Sequence, residues 1–85
     1  MLYSVALDTA ARRDLAKLER AIGTRVSKAI DALEEEPRPS GCLKLAGQRQ
    51  HYRVRVGTYR IVYRVDDNAH LVTVERIQHR REVYR

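Results

Sequence analysis

The sequence predicts an α+β domain in which an antiparallel β-sheet with an N-terminal strand carries a helical hairpin on one face. A strand-like segment at the N-terminus precedes two stretches with helical spacing of apolar residues. A turn at residues 37–41, rich in proline and glycine, separates them from segments in which apolar and polar residues alternate. The predicted order is β-α-α-β-β-β-β, a grouping typical of α+β domains. We expect residues 1–85 to form a single domain.

The first two elements are a strand at residues 2–7 and a helix that follows it. Asp8 or Thr9 can cap this helix, because both side chains accept hydrogen bonds from backbone N–H groups of a first turn. Gly23 is expected to end it. The apolar residues of this helix recur at the spacing of one helix face. They are Ala11, Leu15, Leu18 and Ile22.

A second helix is predicted between Thr24 and Pro37. Thr24 can cap it, Val26, Ile30 and Leu33 repeat the helical spacing, and Pro37 stops it because proline lacks a backbone N–H. Two amphipathic helices joined by about two residues form an antiparallel pair. We expect both apolar stripes to pack in the core.

The second half of the chain predicts four further strands. The predicted segments are CLKLAG (42–47) and residues 50–56, 59–65 and 71–77. Gly57 and Thr58 form a two-residue hairpin loop between the second and third of these segments. In the last one Ile77 is out of phase with Val72 and Val74, so we expect a β-bulge near Glu75 and Arg76.

The hairpin loop determines which side chains share a face of the sheet. It pairs Arg55 with Arg60, and the alternation leaves one face to meet the helices. The opposite face carries His51, Arg53, Arg55, Arg60, Val62 and Arg64. Like charges directly opposite each other destabilise a sheet, and an anion between them removes that cost. We interpret this face as an anion-binding surface; the alternative is that the arginines extend into water.

The charge distribution supports a polyanionic partner. The net charge is +6, and residues 1–42 are balanced, so the whole excess lies in residues 43–85. This asymmetry favours nucleic acid first and an acidic protein second.

Other composition features exclude several classes of protein. No apolar run approaches the roughly 20 residues that span a bilayer, and we expect neither a membrane partner nor a secretory signal. The single cysteine, Cys42, fits a reducing cytoplasm. The histidines and Cys42 lack the spacing of metal ligands, so no metal site is predicted.

The C-terminal segment HRREVYR (79–85) follows the last strand closely enough to reach the basic face. It contributes His79, Arg80, Arg81 and Tyr84. Histidine is the side chain whose charge changes most readily near neutral pH. As an alternative, Tyr84 packs its ring against the end of the sheet.

Three segments in this order resemble the RelE/ParE superfamily of type II toxin–antitoxin toxins: KLAG (44–47), YRVRVGTYRIVYRVDD (52–67) and HRREVY (79–84). The last favours the RelE-type mRNA interferases. This resemblance implies a cytoplasmic toxin that halts translation by cleaving mRNA in the ribosomal A site. The reaction is attack of a ribose 2′-OH on the adjacent phosphate, without a metal or other cofactor. The implied partners are mRNA, the ribosome and an acidic RelB-like antitoxin, with which the monomeric toxin forms a hetero-oligomer.

The resemblance implies roles for Arg53, Arg55, Arg60, Arg80 and Tyr84, and we predict the other site residues from their chemistry and position. The catalytic set is Arg60, His79, Arg80 and Tyr84, in which the two arginines bind the scissile phosphate, His79 transfers a proton and Tyr84 stacks on a base. The RNA-phosphate-binding set is Lys44, Arg53, Arg55, Arg64 and Arg81.

One departure from the family concerns proton transfer. Arg53 and Arg55 stand where well-studied RelE toxins have lysines, one of which is a proposed general base. Arginine does not lose its proton in proteins, so this work is assigned to His79 first and Tyr84 second. Alternatively, the chain is a slow nuclease that relies on electrostatic stabilisation. The competing functions are a ParE-like toxin that inhibits DNA gyrase by binding it, and a catalytically weak, antitoxin-binding member.

Overall fold

Within the part of the chain that the structure describes, seven secondary-structure elements follow one another in the predicted order. The structure, a computed structural model, describes residues 2–47 and 49–80. Its elements are β1 (Ser4–Leu7), α1 (Thr9–Ala16), α2 (Arg20–Ala32), β2 (Leu43–Lys44), β3 (His51–Val56), β4 (Tyr59–Asp66) and β5 (Leu71–His79). The α+β class is confirmed. No helix in the described part of the chain is long and apolar enough to cross a membrane.

The strands form one sheet in the order β1-β5-β4-β3-β2. Strands β2 to β5 pair antiparallel, whereas β1 joins the edge of β5 in parallel. The sheet is therefore mixed, and the expectation of a wholly antiparallel sheet was wrong for β1. Alternation within β1 determines which of its side chains face the core, but it carries no information on the direction in which the strand joins its neighbour.

The break between the two helices lies earlier than predicted. The first helix ends at Ala16, and Gly23 lies inside α2. Glu19 has extended backbone angles and precedes α2, and its carbonyl accepts the Gly23 N–H at 2.8 Å, a hydrogen bond of the first turn. Thr24 is not a cap either, since its hydroxyl group donates to the Arg20 carbonyl one turn back. A capping residue and a glycine mark possible helix ends, but the packing of the chain on the sheet selects among them.

The core lies between the helices and one face of the sheet. Its buried members are Ala11, Val26, Ile30, Leu33, Ile61, Tyr63, Val65, Val72, Val74 and Ile77. The Tyr63 side chain is fully buried, and its hydroxyl group donates to the Pro37 carbonyl at 2.8 Å. The central strands are thereby fixed to the segment that follows α2.

The predicted bulge is present in β5. Val62 pairs with Arg76 and the next residue of β4, Tyr63, pairs with Val74. Glu75 is thus the extra residue of the bulged strand. The irregularity follows from the phase break at Ile77, which returns to the core face opposite Ile61.

Candidate nucleic-acid interface

The β3–β4 hairpin has the predicted register. Val56 pairs with Tyr59 across the Gly57-Thr58 loop, and Arg55 pairs with Arg60. Gly57 has a positive φ of 61°, which glycine adopts without the steric cost of a side chain. The loop therefore places two guanidinium-bearing residues directly opposite each other.

The arginines lie on the sheet face opposite the core. Along β4, Ile61, Tyr63 and Val65 are buried, and the alternating residues point the other way. We call this side the arginine face; its residues are His51, Arg53, Arg55, Arg60, Val62 and Arg64. Gln78 of β5 joins it opposite Arg60. The Arg60 side chain is half-buried, with its Nε atom shielded from solvent, whereas Arg55 is exposed.

The structure places His79 on the other side of the sheet. His79 pairs with Tyr59, and their rings meet edge to face with centroids 5.0 Å apart. Tyr59 packs against the core, whereas Arg60 points to the opposite face. The predicted proton-transfer residue and the predicted phosphate clamp are therefore not brought together within the sheet.

Lys44 is also separated from the arginines by the strand pairing. It lies opposite Tyr52, whose side chain packs against the core, while its neighbour Leu43 lies opposite Arg53. The arginine face thus gains an exposed leucine, at 52% exposure, rather than the lysine. Together with Arg49, the KLAG residues instead line a shallow hollow beside the hairpin.

The remaining predicted site residues follow β5. The Arg80 backbone N–H donates to the Thr58 carbonyl at 2.8 Å, which fixes the start of the C-terminal segment beside the hairpin loop. The Arg80 side chain is exposed. Arg81 and Tyr84 lie outside the described residues, so their predicted roles stay predictions.

Glu75 is a residue of this face that the sequence reasoning missed. Its carboxylate accepts a hydrogen bond from Arg64 Nη1 at 3.0 Å and lies 3.2 Å from His51 Nε2. Arg64, predicted to bind phosphate, is therefore engaged by a carboxylate of this chain. The phase break near Glu75 was the available signal, because a bulge redirects side chains and often lies beside a functional site.

Metal ligands do not gather at this face. Among residues 2–47 and 49–80, His, Cys, Asp and Glu side chains form no group of three or more that could hold a metal ion.

Comparison with known proteins assigns the family. Residues 5–84 match the family described as the ParE toxin of the type II toxin–antitoxin system parDE. The chain belongs to this toxin family. It is also 40% identical to Toxin RelG of Mycobacterium tuberculosis (strain ATCC 25618 / H37Rv), over 100% of this chain and 99% of that toxin. The protein is a RelE-like toxin of a type II toxin–antitoxin system.

Solved RelE structures share this toxin's fold. The RelBE2 toxin–antitoxin complex of M. tuberculosis matches with a TM-score of 0.81 and 35% identity, over 94% of this chain and 100% of that chain. The archaeal RelE–RelB complex of Pyrococcus horikoshii matches with a TM-score of 0.84 and 29% identity, over 94% of this chain and 97% of that chain. A double mutant of Escherichia coli toxin RelE in the free state matches with a TM-score of 0.82 and 28% identity, over 99% of this chain and 92% of that chain.

Proposed function

We propose that this toxin is a ribosome-dependent endoribonuclease of the RelE type, which cleaves mRNA in the A site and halts translation. The observation that carries the proposal is the direct pairing of Arg55 with Arg60 on a face that also bears Arg53 and Arg64. Such crowding is unfavourable in the free protein and favourable around phosphate, because the anion turns like-charge repulsion into charge-assisted hydrogen bonds. The likeness to RelG and to RelE structures supports the same assignment.

The proposed reaction is attack of a ribose 2′-oxygen on the adjacent phosphorus without a metal ion. Arg60 and Arg80 bind the scissile phosphate and stabilise the negative charge that develops on its oxygens. Arg53 and Arg55 hold neighbouring phosphates, and Arg81 extends these backbone contacts. Lys44 would contact RNA beside the hairpin, and Arg64 would do so while it also binds Glu75. Tyr84 stacks on a base. The proton transfer predicted for His79 would take place at the end of the sheet, beside Arg80, because the His79 ring packs on Tyr59 away from Arg60.

We further propose an acidic antitoxin as the partner that controls the toxin. The RelE chains of M. tuberculosis and P. horikoshii are described in complex with RelB antitoxins. An acidic segment on the arginine face would neutralise the excess positive charge of residues 43–85 and exclude RNA from it. The expected state in the cytoplasm is a hetero-oligomer of the two proteins, from which a monomeric toxin is released.

Primer extension on a defined mRNA in a purified translation system tests the nuclease. We expect cuts in A-site codons only when both ribosomes and toxin are present. Arg60→Ala should reduce the cleavage rate by about 100-fold or more, the effect of losing a charge-stabilising group. Arg12→Ala, which removes an exposed arginine of α1, is the matched control and should cleave at the wild-type rate. Because Arg60 is half-buried, thermal melting checks that the Arg60→Ala variant is folded. Arg55→Ala repeats the cleavage test at an exposed position.

Gyrase inhibition is the second candidate, because the matching family is that of ParE toxins. A toxin of this kind would inhibit DNA supercoiling in vitro and would leave mRNA uncut. Inhibited supercoiling together with absent A-site cuts at high toxin concentration would overturn the nuclease proposal. If neither activity appears while the antitoxin binds, the chain is the catalytically weak, antitoxin-binding member.

A further inference from the structure

The fold places the Glu75 carboxylate among the arginines of the arginine face. As the extra residue of the β5 bulge, it turns to the arginine face beside the Val62–Arg76 pair. Its side chain is 25% exposed, so it is held by neighbours yet open to solvent. Its partners are Arg64 of the neighbouring strand β4 and His51 of β3, one strand further across the sheet.

The contacts of His51 fix the orientation of Glu75. The His51 ring lies with Nδ1 2.9 Å from the Arg49 carbonyl oxygen and Nε2 3.2 Å from the Glu75 carboxylate. Both partners are hydrogen-bond acceptors, and His51 donates to the Glu75 carboxylate in the tautomer that carries its proton on Nε2. A carboxylate accepts about four hydrogen bonds in all. Glu75, with donors from His51 and Arg64, therefore retains a lone pair for a substrate hydroxyl group.

Proton acceptors are scarce among the described residues of the arginine face. The guanidinium groups of Arg53, Arg55 and Arg60 stay protonated. His79, the residue first assigned to proton transfer, packs on Tyr59 on the other side of the sheet. The Glu75 carboxylate has the chemistry that these arginines lack.

We propose that Glu75 accepts the proton of the attacking 2′-hydroxyl group, an inference that rests on the nuclease proposed above. The 2′-O–H proton passes to the Glu75 carboxylate while the 2′-oxygen bonds to the adjacent phosphorus. The bond between phosphorus and the 5′-oxygen breaks, and that oxygen takes a proton from a donor at the site or from water. The products are a 2′,3′-cyclic phosphate and a 5′-hydroxyl end, and Glu75 returns its proton to solvent.

The sheet spacing allows one phosphodiester to meet both groups. Arg53 of β3 pairs with Val62 of β4, and Glu75 lies next to Val62 on the other side. Neighbouring strands are about 4.8 Å apart, so Arg53 and Glu75 flank Val62 across about 10 Å. Long side chains converge over such a distance. A phosphate above Val62 would meet cations from Arg53 and from Arg60, two residues along β4, with its ribose turned to Glu75.

Single-turnover cleavage by ribosomes programmed with a defined mRNA tests Glu75 against a matched control. Glu75→Gln keeps the shape and removes the proton-accepting charge. We expect its rate at saturating toxin to fall by about 100-fold or more, the usual contribution of a general base. The toxin concentration for half-maximal rate should stay within about threefold, since the arginines still bind phosphate. Glu35→Gln makes the same change at an exposed site after α2 and should cleave like the wild type.

The outcomes separate this inference from the proposed function. If wild-type toxin cuts no mRNA, the nuclease proposal fails. If wild type cuts and Glu75→Gln cuts within threefold of it or faster, the nuclease stands and Glu75 is not the proton acceptor. Thermal melting checks that the Gln variant is folded. If it is not, Glu75→Ala removes the carboxylate in another way: a rate about 100-fold lower in a folded variant supports the inference, and a rate within threefold of the wild type overturns it.

Discussion

Asp14 of α1 and Arg76 of β5 are joined by hydrogen bonds of 2.8 Å from Nε and 3.3 Å from Nη2. The Asp14 carboxylate also accepts the Ile77 backbone N–H at 2.8 Å. The pairing of β1 with β5 extends only to Val74. The Asp14 carboxylate therefore accepts a β5 backbone N–H beyond the point where the strand pairing ends. The pair therefore fastens the first helix to the sheet beside the bulge that carries Glu75.

Asp14→Asn should lower the free energy of unfolding by about 1–3 kcal/mol, the effect of losing charge-assisted hydrogen bonds at a site that is 15% exposed. Urea unfolding at neutral pH measures it. Asp31→Asn, at an exposed position near the end of α2, should change the value by less than about 0.5 kcal/mol. Equal stability of both variants would show that the Asp14 contacts contribute nothing.

Acid should weaken the same contact. Burial acts to raise the pKa of Asp14, but hydrogen bonds from Arg76 and the Ile77 N–H outweigh it and hold that pKa below its ordinary value. The stabilisation is thus complete above the ordinary pKa and is lost as pH falls through the lowered one. The unfolding free energy of the wild type should decline more steeply in this acidic range than that of Asp14→Asn. Parallel pH curves would contradict this linkage.

Tyr63→Phe should destabilise the toxin because it removes the hydroxyl group that donates to the Pro37 carbonyl inside the core. An unsatisfied buried acceptor costs about 1–3 kcal/mol. Tyr59→Phe is the matched control, at a half-buried position whose ring contact with His79 does not need the hydroxyl group. Chemical denaturation should give a free energy of unfolding well below the wild-type value for Tyr63→Phe only. A larger loss in Tyr59→Phe than in Tyr63→Phe would contradict this explanation.

Gly57→Ala should lower the unfolding free energy by about 1 kcal/mol, because Gly57 has a φ of 61°, which alanine adopts only with strain. Gly57→Asn should cost less, since asparagine tolerates this region. An added Cβ would also lie 3.6 Å from the Arg25 guanidinium nitrogens, an ordinary contact, so the difference between the variants reports backbone conformation. The melting temperature should be highest for the wild type, lower for Gly57→Asn and lowest for Gly57→Ala.

Arg55→Ala should weaken RNA binding while leaving the fold intact or slightly more stable. It relieves the like-charge pair with Arg60, which is worth a few tenths of a kcal/mol. For single-stranded RNA, losing one phosphate contact should reduce the slope of log affinity against log salt by about 0.7. Fluorescence anisotropy at several salt concentrations measures this slope, with Arg20→Ala of α2 as control. An unchanged slope would remove Arg55 from the interface.

Local rules predicted the hairpin and the bulge. A two-residue loop at Gly57-Thr58 leaves one register, and this register places Arg55 opposite Arg60 before any tertiary contact is considered. The phase break at Ile77 similarly requires an extra residue in β5, because a side chain that returns to the core out of step cannot do so on a regular strand.

Other features depended on packing between distant segments. The helix break at Glu19 rather than Gly23 reflects how the two helices pack on the sheet, because the local sequence marks Gly23, and not Glu19, as a helix end. The parallel edge of β1 and the Asp14 contact with β5 join residues more than 60 positions apart. Neither propensity nor alternation carries information over that separation.

The sequence by itself determined that this toxin has an arginine face. Alternation with period 2 and a tight loop are properties of the backbone, and they sort side chains by face wherever the strands lie. Only the tertiary structure decided which partners that face receives. It turned His79 towards Tyr59 and brought Glu75 to His51 and Arg64, because the order of strands across the sheet, rather than the order along the chain, determines which side chains become neighbours.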